Sequence, residues 1–305
     1  MSNKTSFKYG RRNAEGEISL ACEELPSGLE GKLEHCAGLI KGLGRVVVAF
    51  SGGVDSSFLL AFAAEVLGRD NVLAVMSVSA SQPRRARRDG RSLAERLGVE
   101  MVEVETAEFS DSAYRSNPPR RCYHCKRHLF EALWVLARQR GFQAVAAGSN
   151  ADDSGDYRPG LEAAREQGVS EPLMEAGLTK QDVRDASRAM GLETWSKPAS
   201  ACLASRVPYG SEITPDRLGR IERSEEILAD MGFCRCRVRD HDGLARVEVP
   251  PESLERALEH RERIVRSLIS TGFTYVTLDL QGLRSGSMNA ALSRTTDAPA
   301  DGGGA

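Results

Sequence analysis

Arg45-Val46-Val47-Val48-Ala49-Phe50 runs into Ser51-Gly52-Gly53-Val54-Asp55-Ser56-Ser57 and then into the apolar segment Phe58–Leu67. The first six residues are almost wholly apolar and β-branched, the pattern of a central parallel strand covered on both faces. The last ten read as a buried helix. Between them, successive backbone N–H groups and the start of the helix make a cradle for an anion. Paired glycines let the main chain approach phosphate oxygens closely. Ser51, Ser56 and Ser57 add hydroxyl donors, and Asp55 either orients the loop or positions Mg2+. The plainer alternative is a tight strand-to-helix turn in which Asp55 and Ser56 only cap the helix. The spacing is neither that of a P-loop ending in Gly-Lys-Ser/Thr nor that of a dinucleotide fingerprint.

The same alternation continues on either side. Helical periodicity covers Leu29–Leu43, closed by Gly42 and Gly44, and strands are expected at Asn71–Ser77, Glu100–Val104 and Ala144–Ala147. Helices are expected at Arg84–Leu97, Arg127–Arg140 and Lys180–Met190. Strands alternating with helices predict an α/β domain with a doubly wound parallel sheet. Composition changes after Tyr209-Gly210. There, helix Thr214–Met231, strands Cys236–Arg239 and Leu244–Val249, helix Leu254–Ser270 and strand Tyr275–Leu280 predict a smaller α+β domain. The expected division is a leader at 1–27, the α/β domain at 28–210, the α+β domain at 211–292 and a frayed tail at 293–305.

The chain has 305 residues, 41% hydrophobic and 28% charged, enough to bury a core without disulfide staples. Lys and Arg number 41 against 43 Asp and Glu, a net charge of −2, which argues against a polybasic nucleic-acid binder. Apolar runs such as Leu59–Ala64 are too short to span a bilayer, and Met1–Gly16 lacks the apolar stretch of a secretion signal. Seven cysteines in a chain of this size point to a reducing, cytoplasmic setting, with the thiols buried, metal-binding or catalytic.

Cys122 and Cys125 form a Cys-x-x-Cys pair, expected on a loop before a helix, and Cys202 follows much later. Three thiolates suit a [4Fe–4S] cluster with one open iron; the pair alone also suits half a zinc site, with His124 nearby, or a redox couple. Cys36 is read as a packing residue, and Cys234 and Cys236 as core-packing or subsidiary surface residues. Asp152 and Asp153 bind Mg2+ or a hydroxyl-rich ligand, or simply make an acidic turn. Arg158 lies in a fixed Tyr-Arg-Pro-Gly loop and suits phosphate. Arg237 and Arg239 alternate along a strand and share a face. Arg84, Arg85, Arg87, Arg88 and Arg91 read as a solvated helix face. Trp195 reads as a core anchor more than as a ligand stack, and Lys180 as a helix-start residue or a phosphate contact.

The heptapeptide Ser51–Ser57 resembles the PP-loop of the N-type ATP pyrophosphatases. That resemblance implies cleavage of ATP between its α- and β-phosphates, with Ser51, Gly52, Gly53, Asp55, Ser56 and Ser57 at pyrophosphate and Ser77 near adenosine. Further stretches agree with one family. They are Asn117–Lys126, Gly148–Asp153, Asp156–Gly160, Glu171-Pro172-Leu173, Ala199–Gly210 and Asp279–Asn289. Together they resemble the LarE family of ATP-dependent sacrificial sulfur transferases over residues 29–292. The implied substrate is pyridinium-3,5-biscarboxylic acid mononucleotide. Its carboxylate would be adenylated and converted to a thiocarboxylate for the nickel-pincer nucleotide cofactor.

In the family's sacrificial form a cysteine, here Cys202, gives up its own sulfur. In the three-cysteine form, matched by Cys122, Cys125 and Cys202, a [4Fe–4S] cluster carries sulfide, and this form is the expectation here. The resemblance further implies substrate-phosphate contacts from Arg206, Arg237 and Arg239, divalent-metal positions at Asp153, Glu225 and Glu248, and pocket roles for Asp152, Arg158, Arg284 and Ser285. ATP, Mg2+, the cluster, a sulfide source and a homo-oligomeric assembly are the implied cofactors and partners, with no nucleic acid and no membrane. The rival readings are a PP-loop tRNA thiolase and a nucleotide sensor or scaffold.

Overall fold

The computed structural model describes residues 25–155, 158–198 and 201–284, and the backbone of a two-residue antiparallel ladder between β1 (Arg11–Arg12) and β2 (Ile18–Ser19). Two compact units emerge. One contains residues up to Asp111 and Arg120–Ser200; the other contains Ser112–Pro119 and the chain from Ala201 onward.

The first unit holds α1 (Leu29–Leu43), β3 (Val46–Ala49), α2 (Val54–Leu67), β4 (Val72–Val78), α3 (Arg84–Leu97) and β5 (Met101–Glu105). After the excursion into the second unit through the single turn α4 (Ser112–Arg115) come α5 (Arg121–Arg140), β6 (Ala144–Ala146), α6 (Pro159–Glu166), α7 (Pro172–Glu175) and α8 (Lys180–Ala189). The strands form an all-parallel sheet in the order β5-β4-β3-β6. Its two faces separate by residue parity. Val46 and Val48 join a core with Phe58, Leu59 and Phe62 of α2, whereas Val47 and Ala49 join Phe130, Leu133 and Ala137 of α5. All four residues of β3 are buried, which is why the strand has no polar face to betray its pleat. The α/β reading of the sequence is therefore correct, with strand order added by the structure.

The second unit contains α9 (Pro215–Asp230), β7 (Arg237–His241), β8 (Leu244–Glu248), α10 (Leu254–Glu259), α11 (Arg261–Ser270) and β9 (Tyr275–Leu278). Its three-stranded sheet is mixed: β7 pairs antiparallel with β8, and β8 pairs parallel with β9. Val238, Ala245 and Val247 are buried, as are Leu218, Ile221 and Leu228 of α9 and Leu268 of α11. The single helix expected over Leu254–Ser270 is two helices. His260 leaves the helical range, at φ −94° and ψ 9°, and sets its ring edge-on to Phe233 at 6.2 Å. Among the described residues no helix is long and apolar enough to cross a membrane.

Candidate functional site

In the first unit the glycine-rich loop joins β3 to α2, at the carboxyl edge of the parallel sheet where doubly wound folds bind ligands. Gly52 has φ +69°, a left-handed conformation that only glycine adopts cheaply. A Cβ there would also stand 3.0 Å from the Ala86 carbonyl oxygen of α3. The N-cap of α2 is Gly53, and no side chain caps it. That decides against the plain capping alternative: Asp55 and Ser56 lie inside the first turn, and its leading N–H groups are not spent on a capping side chain. Because α2 starts at Val54 rather than Phe58, the whole second half of the loop sits at the positive end of a helix.

The loop is cross-linked by its own hydroxyls. Ser56 Oγ lies 3.0 Å from Ser51 Oγ and accepts from the Ser51 N–H at 3.2 Å, and Ser56 also donates to the Gly53 carbonyl at 3.3 Å. Behind it, Gly148 packs so closely that a Cβ would lie 2.9 Å from Ser56 N and 3.0 Å from Asp55 C. Ser57 Oγ and Asp55 Oδ1 are buried with no hydrogen-bond partner. They are polar groups in the first turn of α2 with hydrogen-bonding capacity to spare. Ser77, the penultimate residue of β4, is half-buried, and its hydroxyl donates to Gln82 Oε1 at 3.4 Å.

Two lysines flank the loop. Lys180 Nζ lies 2.5 Å from Asp55 Oδ2, and the Lys180 N–H donates to Asp152 Oδ2 at 2.9 Å. Local sequence sets this up, since Thr179 and Asp182 form a capping box that starts α8 at Lys180. Lys32 holds Asp182 at 2.6 Å. From the other side Lys197 Nζ donates to the Gly52 carbonyl at 3.1 Å and to Asp89 at 3.0 Å. Neither lysine is singled out by a motif; in the sequence Lys180 reads as a helix start or a phosphate contact, and Lys197 only as the residue before Pro198.

Asp153 accepts from the Asn150 N–H at 3.0 Å and pairs with Arg158 at 2.6 Å. One oxygen thus holds the Asn150 turn and the other holds Arg158. Glu171 is 3% exposed, and burial pushes its carboxyl above the usual range, against a hydrogen bond from Ser149. Trp195 is not a core anchor: it is 39% exposed, with the Arg188 guanidinium 5.2 Å from its ring.

Cys122 and Cys125 lie in the first turns of α5, not on a loop ahead of it. Nothing after Pro119 breaks the helix, so it begins six residues earlier than Arg127 and places the pair at i and i+3 on one face. Cys122 is exposed and Cys125 half-buried. Next on α5, His128 and Arg127 each meet Asp111 at 2.9 Å. His124 lies 3.7 Å from Asp111, yet desolvation holds its pKa below the ordinary value. Cys202 is exposed in the second unit, at the N-cap of a 3-10 turn over Leu203–Arg206. The three residues supply soft thiolate donors of the kind a cluster takes. Among the described residues, no group of three or more His, Cys, Asp or Glu is assembled to hold a metal ion.

In the second unit two of the arginines singled out from the sequence are partnered by the two glutamates singled out with them. Arg206, fully buried, forks onto Glu225 (2.9 and 3.1 Å), and Arg239 forks onto Glu248 (3.1 and 2.8 Å). Glu248 also takes Arg246 at 3.1 Å. Arg237 is half-buried and shares the β7 face with Arg239; burial and the Arg206 charge lower its pKa. Arg284 lies 3.9 Å from Asp279, and Ser285 falls outside the described residues.

The NAD synthase family model matches residues 28–147, the span from α1 to β6 that carries the loop. The chain is 41% identical over 268 residues to an uncharacterized protein of Synechocystis, covering 87% of this chain and all of that protein. It is also 41% identical over 255 residues to the pyridinium-3,5-bisthiocarboxylic acid mononucleotide synthase of Lactiplantibacillus plantarum, covering 84% of this chain and 92% of that protein. The chain belongs to that synthase family. A more distant likeness, 31% identity over 202 residues, joins it to the tRNA-specific 2-thiouridylase MnmA of Desulforamulus reducens, over 51% of this chain and 53% of that protein. Family membership and the uncapped loop together make the chain an ATP-utilising PP-loop enzyme.

Proposed function

We propose that the protein is an ATP-dependent sulfurtransferase that adenylates a carboxylate of pyridinium-3,5-biscarboxylic acid mononucleotide and replaces the activated oxygen with sulfur. The observation that carries the reading is the 41% identity, over nearly the whole chain, to a synthase whose name specifies the thiocarboxylate product. The glycine-rich loop supports the ATP half of the reaction. Its N–H groups, with Ser51, Gly52, Gly53, Ser56 and Ser57, bind pyrophosphate, and Ser77 lies at adenosine. The substrate carboxylate attacks the α-phosphorus, pyrophosphate leaves, and the resulting acyl-adenylate is a good acceptor because AMP is a good leaving group. Positive charge at Lys180 and Lys197 stabilises the departing pyrophosphate. Asp55, whose second oxygen is unpartnered, is the residue that would hold Mg2+, which neutralises phosphate charge when bound.

Sulfur enters at Cys202. Cys122, Cys125 and Cys202 would hold a [4Fe–4S] cluster, which when bound supplies exchangeable sulfide as the donor. Arg237 and Arg239 recognise the substrate phosphate from the face of β7, with Arg284 and Ser285 as a further anion-binding turn. A sulfide source and a homo-oligomeric assembly complete the proposal. The deciding experiment is anaerobic reconstitution with iron, sulfide, ATP and the mononucleotide, followed by mass analysis of small molecules and protein. AMP, pyrophosphate, thiocarboxylate and about four irons per chain are expected, with repeated turnover on added sulfide. One sulfur per chain and dehydroalanine at Cys202 would assign the sacrificial route. Sulfur found only in added tRNA would overturn the substrate assignment.

A further inference from the structure

Among the described residues Arg206 is the largest buried side chain, with 2% of it exposed. A guanidinium has five N–H groups: one on Nε and two on each Nη. Nε and one Nη2 N–H go to the two oxygens of Glu225. The Nη1 pair is divided among the Ala201 carbonyl at 2.8 Å, the Cys202 carbonyl at 3.0 Å and Ser205 Oγ at 3.0 Å. Four of five donors are therefore spent inside the second unit, three of the acceptors lying on the segment that carries Cys202.

The other contacts of that segment converge on the same atoms. Ser205 donates its N–H to the Cys202 carbonyl at 3.0 Å and its hydroxyl to the same oxygen at 2.8 Å. Arg239 Nη1 donates to the Ser205 carbonyl at 3.0 Å. Glu225 is itself anchored, because Oε1 also accepts from the Val238 N–H of β7 at 3.0 Å. A chain of bonds thus runs from β7 through Glu225 and Arg206 to the carbonyls on either side of the Cys202 Cα.

We propose that Arg206 and Glu225 form a positioning clamp that fixes the main chain at Cys202, in place of the substrate-phosphate and metal roles that the resemblance implies for them. An exposed thiol in a surface turn is otherwise free to wander, and sulfur must reach the acyl carbon within about 3–3.5 Å for transfer. A carbonyl clamp holds the Cα while leaving the thiol itself accessible. A bidentate carboxylate partner suits this task because it fixes the plane of the guanidinium as well as its charge. The inference rests on the reading of Cys202 as the point of sulfur entry.

The test compares Arg206→Ala, Arg206→Lys and Glu225→Gln with the wild type in the full-length protein. Amide hydrogen exchange at Ser205 and Val207, mononucleotide affinity by calorimetry and single-turnover thiocarboxylate formation are measured on each. For Arg206→Ala we expect exchange about tenfold faster or more, transfer about a hundredfold slower and mononucleotide affinity within about twofold of wild type. Arg206→Lys and Glu225→Gln, which keep part of the network, should fall between, and they carry the test where the alanine variant does not fold. Unchanged exchange with a mononucleotide affinity weakened tenfold would overturn the clamp and restore a phosphate ligand. Unchanged exchange with manganese binding lost in Glu225→Gln would restore a metal ligand. A wild type that makes no thiocarboxylate would overturn the functional reading, and the exchange measurement would still decide the clamp.

Discussion

Lys180 and Asp55 meet at 2.5 Å across 125 positions of sequence, joining the first residue of α8 to the first turn of α2. The contact ties the glycine-rich loop to an element that no nucleotide motif includes. It also leaves Asp55 with one bonded and one unpartnered oxygen in the first turn of α2.

Lys180→Ala should therefore slow pyrophosphate release about ten- to hundredfold. A charge-assisted hydrogen bond contributes about 1.5–3 kcal/mol, and each 1.4 kcal/mol is a factor of ten. Asp55→Ala should be at least as severe while the circular dichroism spectrum is retained. Wild-type rates in both variants, or ADP and phosphate as the substrate-dependent products, would contradict the assignment.

Gly148→Ala should damage the loop without touching its sequence. The added methyl would meet main-chain atoms of Asp55 and Ser56, which cannot swing aside as a flexible side chain can. Overpacking of this kind costs about 1–3 kcal/mol. Thermal denaturation with and without ATP and Mg2+ should show a lower Tm and a smaller ligand-induced rise; an unaltered rise would mean that the loop tolerates the methyl.

Arg237 and Arg239 share a strand face but should respond differently. Arg239→Ala leaves Glu248, which is fully buried, without its fork, and breaking a buried pair costs about 3–5 kcal/mol. Its main effect should be a large fall in Tm. Arg237 is only half-buried and donates to the Cys236 carbonyl at 2.8 Å, so Arg237→Ala should weaken mononucleotide binding while leaving ATP affinity and Tm close to wild type. Equal loss of both ligands with the fold intact would remove Arg237 from the substrate pocket.

The cysteines divide by burial. Cys36 and Cys236 are buried, and desolvation raises both thiols to about 12. At pH 8 only about one in ten thousand of either is thiolate, the reactive form. Iodoacetamide should label Cys122, Cys202 and Cys234 first, as read by peptide mass spectrometry. Cys36 and Cys236 should react only on unfolding. Early modification of Cys236 would mean that β7 opens readily.

The sequence alone determined the architecture around the loop, because its signals are local. A β-branched run, two glycines and an apolar helix are consecutive, and parity along Val46–Ala49 carries both faces of the sheet. Expected and observed bounds of the Arg84–Leu97 helix agree for the same reason. The exceptions differ in origin: the Cys122–Cys125 turn has no local breaker to mark it as helix, whereas the bend at His260 meets Phe233, distant in sequence in the loop between α9 and β7. Tertiary structure decided which charges serve which groups. Lys180 with Asp55, Lys197 with the Gly52 carbonyl, and Arg206 with Glu225 are partners separated by 125, 145 and 19 residues. Pairings of that kind leave no periodicity in the chain. A buried guanidinium must find acceptors wherever the fold supplies them, so whether Arg206 meets a ligand or its own backbone is settled only when the elements pack.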